Sequence, residues 1–349
     1  MTTDFSALPQ GARNNFDAGP LSWVMGEIRE ALAHSKIALS EALTQDFESQ
    51  ATSLRHARAW LHQTHGALQI VDVDGVAIVT ETIEDLFDRL ISGQLALTAD
   101  IAQAIQNGCQ ALVEYLEELL SGESHQPVRL FPYYKALLEA RGAERVHPAD
   151  LFFPDLTIRP QLPVRQEISS PVDYGVLRVR FEKILLRFLK NSDTDSDPRN
   201  AIAMAKIIAQ VENAQNGQQA RGFWWVMHAF SEAVASGQVA GELYVKQLFA
   251  RINLQLRRLS QGATGITERV LRDALFFLAS VEHPSPRSLQ VRSAWQLDGL
   301  VPHDYGKLRY GQIDLDSLVL AKEKLSQAKN IWSRMPAVTV AWLLLSNWK

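Results

Sequence analysis

Apolar residues return every three to four positions through the first 142 residues, the spacing that gathers them on one side of an α-helix. Leu21, Val24, Met25, Ile28 and Leu32 set the first stripe, just after Pro20, whose fixed φ suits an opening helical turn. A second stripe runs from Phe47 to Ile70, with Leu54, Leu61 and Leu68 seven apart. Asp74-Gly75 punctuates the chain, and Val79, Ile83, Leu86, Phe87 and Leu90 then form a third stripe that stops near Ser92-Gly93. Thr98 is placed to cap a fourth helix whose buried face carries Ile101, Ile105, Cys109, Leu112, Leu116 and Leu119. Four helices with short connections predict an antiparallel bundle, and a fifth, opened by Pro127 and closed by Gly142, is appended to it.

The character changes between Ala143 and Pro171. Pro148, Pro154, Pro160, Pro163 and Pro171 prevent a continuous helix, so a domain boundary is expected there. Leu151, Phe152, Phe153 and Leu156 are too apolar for a free linker, and the segment is expected to pack along one of the domains. Helical spacing resumes over Val176–Leu189, Pro198–Asn213, Arg221–Ala235, Glu242–Leu259 and Ile266–Ser280. After Pro284 and Pro286 a mixed stretch precedes a last helix from about Leu315 to Trp332, rich in Lys and Glu. The expected architecture is therefore all-α: a four-helix bundle with an extra helix over 1–142, a Pro-rich connector over 143–172, a second helical domain over 173–290 and a helical extension over 291–349.

With 46% hydrophobic and 21% charged residues in 349, the chain has apolar material for two cores and is not disordered. A formal charge of -4 offers no electrostatic footprint for duplex nucleic acid or an anionic membrane, so neither is an expected partner. Cys109 is the single cysteine and cannot form an internal bridge; on an apolar stripe it reads as a buried thiol, and a cytoplasmic location is expected. Met1 to Pro9 lacks the basic and apolar regions of a secretory signal. The densest apolar run, Ala337 to Leu345, falls short of the roughly 20 residues of a spanning helix, so no membrane insertion is expected.

The richest candidate chemistry lies in Leu61-His62-Gln63-Thr64-His65-Gly66-Ala67-Leu68, in the middle of the second helix. His62 follows the buried Leu61 by about 100° of rotation and so sits at the wetter edge of the stripe. His65, Gly66 and Gln69 are expected to continue that face. The arrangement suits a phosphoryl-accepting imidazole: a ring nitrogen presented to a partner, a glycine one turn on that removes bulk, and Arg58 and Arg55 one and two turns back to offer positive charge. The same two histidines are too few to hold zinc. Asp193-Thr194-Asp195-Ser196-Asp197 imitates the start of a calcium loop, but Pro198 stands where glycine is needed and Met204 where an acid is, so it reads as the acidic flank of a helix. Phe223, Trp224 and Trp225, with Met227, His228 and Phe230, form the heaviest aromatic cluster, read as core packing or, more sharply, as a partner-binding hot spot.

The segment around His62 resembles the His-x-x-Lys-Gly signature of histidine phosphotransfer (Hpt) domains, four-helix bundles that shuttle phosphate from His to a receiver Asp. More widely, Trp23-Val24 with Gly26-Glu27-Ile28, the His62 to Val71 segment, and Leu138 through Arg141-Gly142 to Pro154-Asp155-Leu156 resemble the N-terminal region of PilL/ChpA-type (CheA-like) hybrid histidine kinases of type IV pilus systems. That region is also similar to the FimL-type pilus scaffold proteins, whose second domain Arg221-Gly222-Phe223-Trp224-Trp225 resembles. The resemblance implies a phosphorelay module for twitching motility: His62 accepts phosphate, Gly66 admits the receiver, and Arg58 and His65 assist electrostatically. It implies a CheA-type kinase core, a response-regulator receiver domain and pilus scaffold proteins as partners. His65 stands where the signature has lysine, exchanging a permanent cation for an imidazole that titrates near neutrality. The alternative is a degenerate Hpt-like scaffold that docks signalling or pilus proteins without phosphotransfer. His228 has Ser231 and Glu232 at the signature's Lys and Gly spacing and is read as structural. No Gly-rich phosphate loop or Ser/His/Asp arrangement is evident, so no cofactor and no ATP-binding kinase core are expected.

Overall fold

The computed structural model describes residues 18–71, 73, 75–164, 172–190, 198–263, 265–311, 321–327 and 329. Met1–Pro9, Asp193–Asp197 and Ala337–Leu345 lie outside the described residues, as does most of the expected helix over Leu315–Trp332, of which 321–327 and 329 are helical. Every regular element among the described residues is helical, as the spacing predicts. The chain divides into two compact units, Met1–Lys307 and Leu308–Lys349.

In the first unit, α1 (Ala18–Ala42), α2 (Phe47–Val71), α3 (Val76–Ile91) and α4 (Ala99–Leu120) pack as a ring of neighbours, and α5 (Phe131–Ala140) lies against α3 and α4. The apolar stripes supply its core: Leu21, Ile28, Leu61, Leu68, Ile83, Phe87, Ile105, Cys109, Leu112 and Leu116 are all essentially inaccessible to water. Thr98 caps α4 by accepting from the Ile101 amide at 3.3 Å. α3 begins three residues earlier than its stripe indicates, because Gly75 at φ +78° turns the chain into the helix. A Cβ on Gly75 would stand 2.7 Å from Pro127 Cβ and 2.9 Å from Phe153, so the turn is also a point where three segments meet without room for a side chain. The fifth helix opens as a 3-10 turn over Pro127–Leu130 before becoming α5.

The proline-rich segment packs as its apolar residues require. A 3-10 turn over Pro148–Leu151 seats Ala149 and Phe152 in the core of the C-terminal helices, with Phe152 edge-on to Phe276 at 5.7 Å. Those helices are α6 (Tyr174–Lys190), α7 (Pro198–Ala214), α8 (Gln218–Ala235), α9 (Leu243–Ser260), α10 (Glu268–Ser280) and α11 (Pro286–Ala294), the last of which the two prolines obscure in the sequence. α8 is the central rod, contacting α7, α10 and α11, and its residues Gly222 to Ser231 are buried on every side. Trp224 and Trp225 are 3% and 1% exposed, which makes the aromatic cluster core and removes the hot-spot reading. The helical phase of that cluster separates two faces, and both are covered because α8 has neighbours all round.

Candidate functional site on the seam between α2 and α3

α2 and α3 run antiparallel, and the residues facing across their seam pair one turn at a time. Arg58 Nε and Nη2 donate to the two carboxylate oxygens of Asp88 at 2.5 and 3.1 Å. One turn on, His62 Nδ1 lies 2.8 Å from Glu84 Oε1. A further turn on, His65 Nδ1 lies 2.7 Å from Thr80 Oγ1, and its Nε2 is 2.9 Å from Gln69 and 4.0 Å from Glu81. The spacing within each helix permits the ladder: residues three and four apart on a helix share a face, and α3 carries Glu81, Glu84 and Asp88 at the matching spacing.

His62 stands where helical phase puts it, at the edge of the stripe, with its side chain 66% exposed. An ionised carboxylate only accepts hydrogen bonds, so Glu84 takes the Nδ1–H and Nε2 is the ring nitrogen left without that partner. A neutral imidazole held in that tautomer is a nucleophile presented to solvent. Gly66, one turn on, has nothing within 4 Å of where a Cβ would stand, so the helix surface beside His62 is flat and open.

The expected electrostatic helpers are placed differently. His65 leaves the face of His62: its side chain is buried against α3, because a step of three residues turns it about 60° back toward the core. Arg58 is on the right side of the helix but its guanidinium is held in two hydrogen bonds by Asp88, which also raises its pKa. Arg55 is exposed and two turns, about 10 Å, from His62 along the axis. Carboxylates dominate the seam's outer edge instead, with Glu81 and Asp88 more than half exposed and Asp85 shared by Arg89 at 3.0 Å and Arg141 at 3.3 Å. Among the described residues of α2, a phosphoryl group on His62 Nε2 would meet Glu84 across the ring, and the arginine one turn back, Arg58, is already paired with Asp88. Sequence spacing puts His62, Gly66 and Arg58 on the outer side of α2, where they lie, but it misses the α3 acids, since pairing depends on the register between two helices.

No group of three or more His, Cys, Asp or Glu side chains that would hold a metal exists among the described residues, and His62 and His65 point to different surroundings. His228 is buried in the second set of helices, with Nδ1 2.7 Å from Glu212 and Nε2 3.3 Å from Glu232. Arg287 closes this network by donating to Glu232 at 2.7 Å. Burial works against the charged form of His228, and hydrogen bonds to the two glutamates outweigh it, so its pKa is raised. Cys109 is sealed in the bundle, and burial pushes its thiol up to about 12, which keeps it protonated and unreactive. Among the described residues no helix is long and apolar enough to cross a membrane.

Fold and site together define an all-helical protein with an exposed histidine on a carboxylate-lined helix seam. A family model for the second domain of the FimL scaffold protein matches residues 169–308, which hold α6 to α11. Scaffold protein FimL of Pseudomonas aeruginosa is 23% identical over 291 residues, covering 82% of this chain and 50% of that protein. The chain thus spans about half the length of this curated relative. No solved structure matches.

Proposed function

We propose that this chain is a docking scaffold of a type IV pilus chemosensory system, whose N-terminal bundle keeps the shape of an Hpt domain and uses its α2–α3 face to hold partners without relaying phosphate. The observation that carries the reading is the setting of His62: its exposed imidazole is hydrogen-bonded to Glu84, with Glu81 and Asp88 on the neighbouring turns of α3, while Arg58 and His65 are occupied elsewhere. Covalent phosphate adds up to two negative charges, which such a surface disfavours by like-charge repulsion. The relative that matches most of the chain is itself a scaffold protein by name, which supports the same reading. In this proposal residues 1–142 form the docking bundle, 143–172 the connector that fastens it, 173–290 the second helical domain and 291–349 the extension. The protein works in the cytoplasm, and the partners are a CheA-type kinase core, a receiver domain or pilus scaffold proteins.

A second reading, phosphorelay through His62, is favoured by one feature, the Glu84 hydrogen bond that leaves Nε2 as the nucleophilic ring nitrogen. The two separate on one experiment. The full chain is incubated with a CheA-type kinase core and labelled ATP, then with a phosphorylated receiver domain, and examined for acid-labile, base-stable phosphate. The scaffold reading expects no adduct in a folded sample. An adduct that forms within minutes and vanishes in His62→Gln would establish the relay and overturn the scaffold.

A further inference from the structure

Where the connector meets α9 and α10, four arginines converge on two aspartates. Asp150 Oδ1 is 3.4 Å from Arg269 Nη2, 3.8 Å from Arg145 Nη2 and 3.9 Å from Arg272 Nη2. Asp273 Oδ2 is 2.5 Å from Arg251 Nη1 and 3.5 Å from Arg145 Nη2. Only Arg251 is close enough for a strong bond; the other three guanidinium groups crowd carboxylates at longer range. Arg145 Nε and Nη2 and Arg272 Nε are sealed from water and make no hydrogen bond to protein. Buried guanidinium hydrogens without an acceptor are costly, and native structures satisfy such groups with a partner or an ion. Among the described residues, a buried acceptor of the same cluster, Asp273 Oδ1, likewise receives no hydrogen bond.

We infer that this arginine cluster is a binding site for inorganic hydrogen phosphate. Two aspartates leave two positive charges uncompensated, which a dianion balances. The acceptor oxygens of the anion supply Arg145 and Arg272, and its single P–O–H donates to the unpaired oxygen of Asp273. Sulfate has the same size and charge but no proton at neutral pH, and would set an oxygen lone pair against that carboxylate. Arg269 is about half exposed, so the cluster opens to solvent on its side. His147, beside the cluster, registers the excess charge: burial first, and then Arg145, Arg251 and Arg272, press its pKa down to about 3. The site lies on the connector and the second set of helices, apart from His62, and does not rest on the scaffold reading.

Isothermal titration of the full chain with sodium phosphate at pH 8, at constant ionic strength, tests the inference. Phosphate is expected to bind at one site and to raise the midpoint of thermal unfolding, as a ligand selective for the folded state must. Arg269→Ala, a substitution at a half-exposed position, is expected to weaken binding about tenfold by removing one of the four positive charges that surround the anion. Sulfate, and phenyl phosphate as a monoester that has lost its last acidic proton at this pH, are expected to bind at least tenfold more weakly. No saturable heat with phosphate, equal affinity for sulfate, or unchanged affinity in Arg269→Ala in a sample of native helicity would each overturn the assignment.

Discussion

His147 fastens the connector to the second set of helices, and acid is expected to loosen it by an amount that the structure fixes. The ring is 2% exposed and packs against Tyr244 at 4.8 Å, Phe277 at 5.8 Å and Phe276 at 6.1 Å. Its Nδ1 accepts from the Ala149 amide at 3.0 Å, so the proton sits on Nε2 and the ring is neutral. Burial and three neighbouring arginines hold its pKa at about 3, against about 6.5 in an unfolded chain. A depressed pKa means that the unfolded state binds the proton first, so the contribution of His147 to stability is constant above about pH 6.5 and falls between there and pH 3. At pH 5 the loss is set by protonation of the unfolded chain alone and comes to about 2 kcal/mol, since the folded ring is still neutral. Replacement by Asn keeps an acceptor for the Ala149 amide and removes the titration. Urea unfolding at pH 7.5 and 5 is the assay. His147→Asn is expected to be less stable than wild type at pH 7.5 through lost packing, and that deficit is expected to shrink by about 2 kcal/mol at pH 5. A deficit that is the same at both values, within about 0.5 kcal/mol, would refute the reasoning, because it would mean that His147 titrates equally in the folded and unfolded states.

Three further outcomes are expected. Gly66→Ala should raise stability by about 0.8–1 kcal/mol, because a mid-helix glycine gives way to the best helix former and the new Cβ meets nothing, as read from the urea midpoint. Gly75→Ala should cost about 2 kcal/mol or more in the same assay, combining a left-handed backbone at φ +78° with contact on Pro127 and Phe153. His228→Gln should flatten the alkaline side of the stability profile: the raised pKa of the wild-type ring contributes stability that is complete below about pH 6.5 and is lost as pH rises through the folded value. Parallel profiles for variant and wild type between pH 6 and 9 would show that Glu212 and Glu232 do not hold the ring charged.

The helices are legible in the sequence because their stripes repeat at a period that only a helix satisfies, and Leu61, Leu68, Ile83, Phe87, Ile105 and Leu112 are buried as that period requires. Capping is equally local, and Thr98 caps α4 for that reason. Packing of the connector is signalled by Leu151 and Phe152, although the destination of Phe152, on Phe276 more than a hundred residues away, is not. α11 escapes detection because Pro284 and Pro286 read as breakers while Ser285 accepts from the Ser288 amide and starts the helix on Pro286. At the site, the exposure of His62 follows from one turn of geometry, whereas the fate of Arg58 and His65 is decided by which α3 residues stand opposite them. Asp88, Glu84 and Thr80 sit there through tertiary register, a quantity that no single-helix pattern contains. The arginine cluster is less legible still, since Arg145, Arg251, Arg269 and Arg272 come from three separate segments.

The central claim, that the α2–α3 face docks a partner without using His62 chemically, is tested most directly by titrating receiver domains of CheA-type pilus systems into the full chain and two variants. The account predicts that wild type and His62→Gln bind with the same affinity, whereas Gly66→Arg, which adds bulk and charge to the open strip beside His62, binds at least tenfold more weakly while keeping its helicity. Affinity lost in His62→Gln, or untouched in Gly66→Arg, would contradict it.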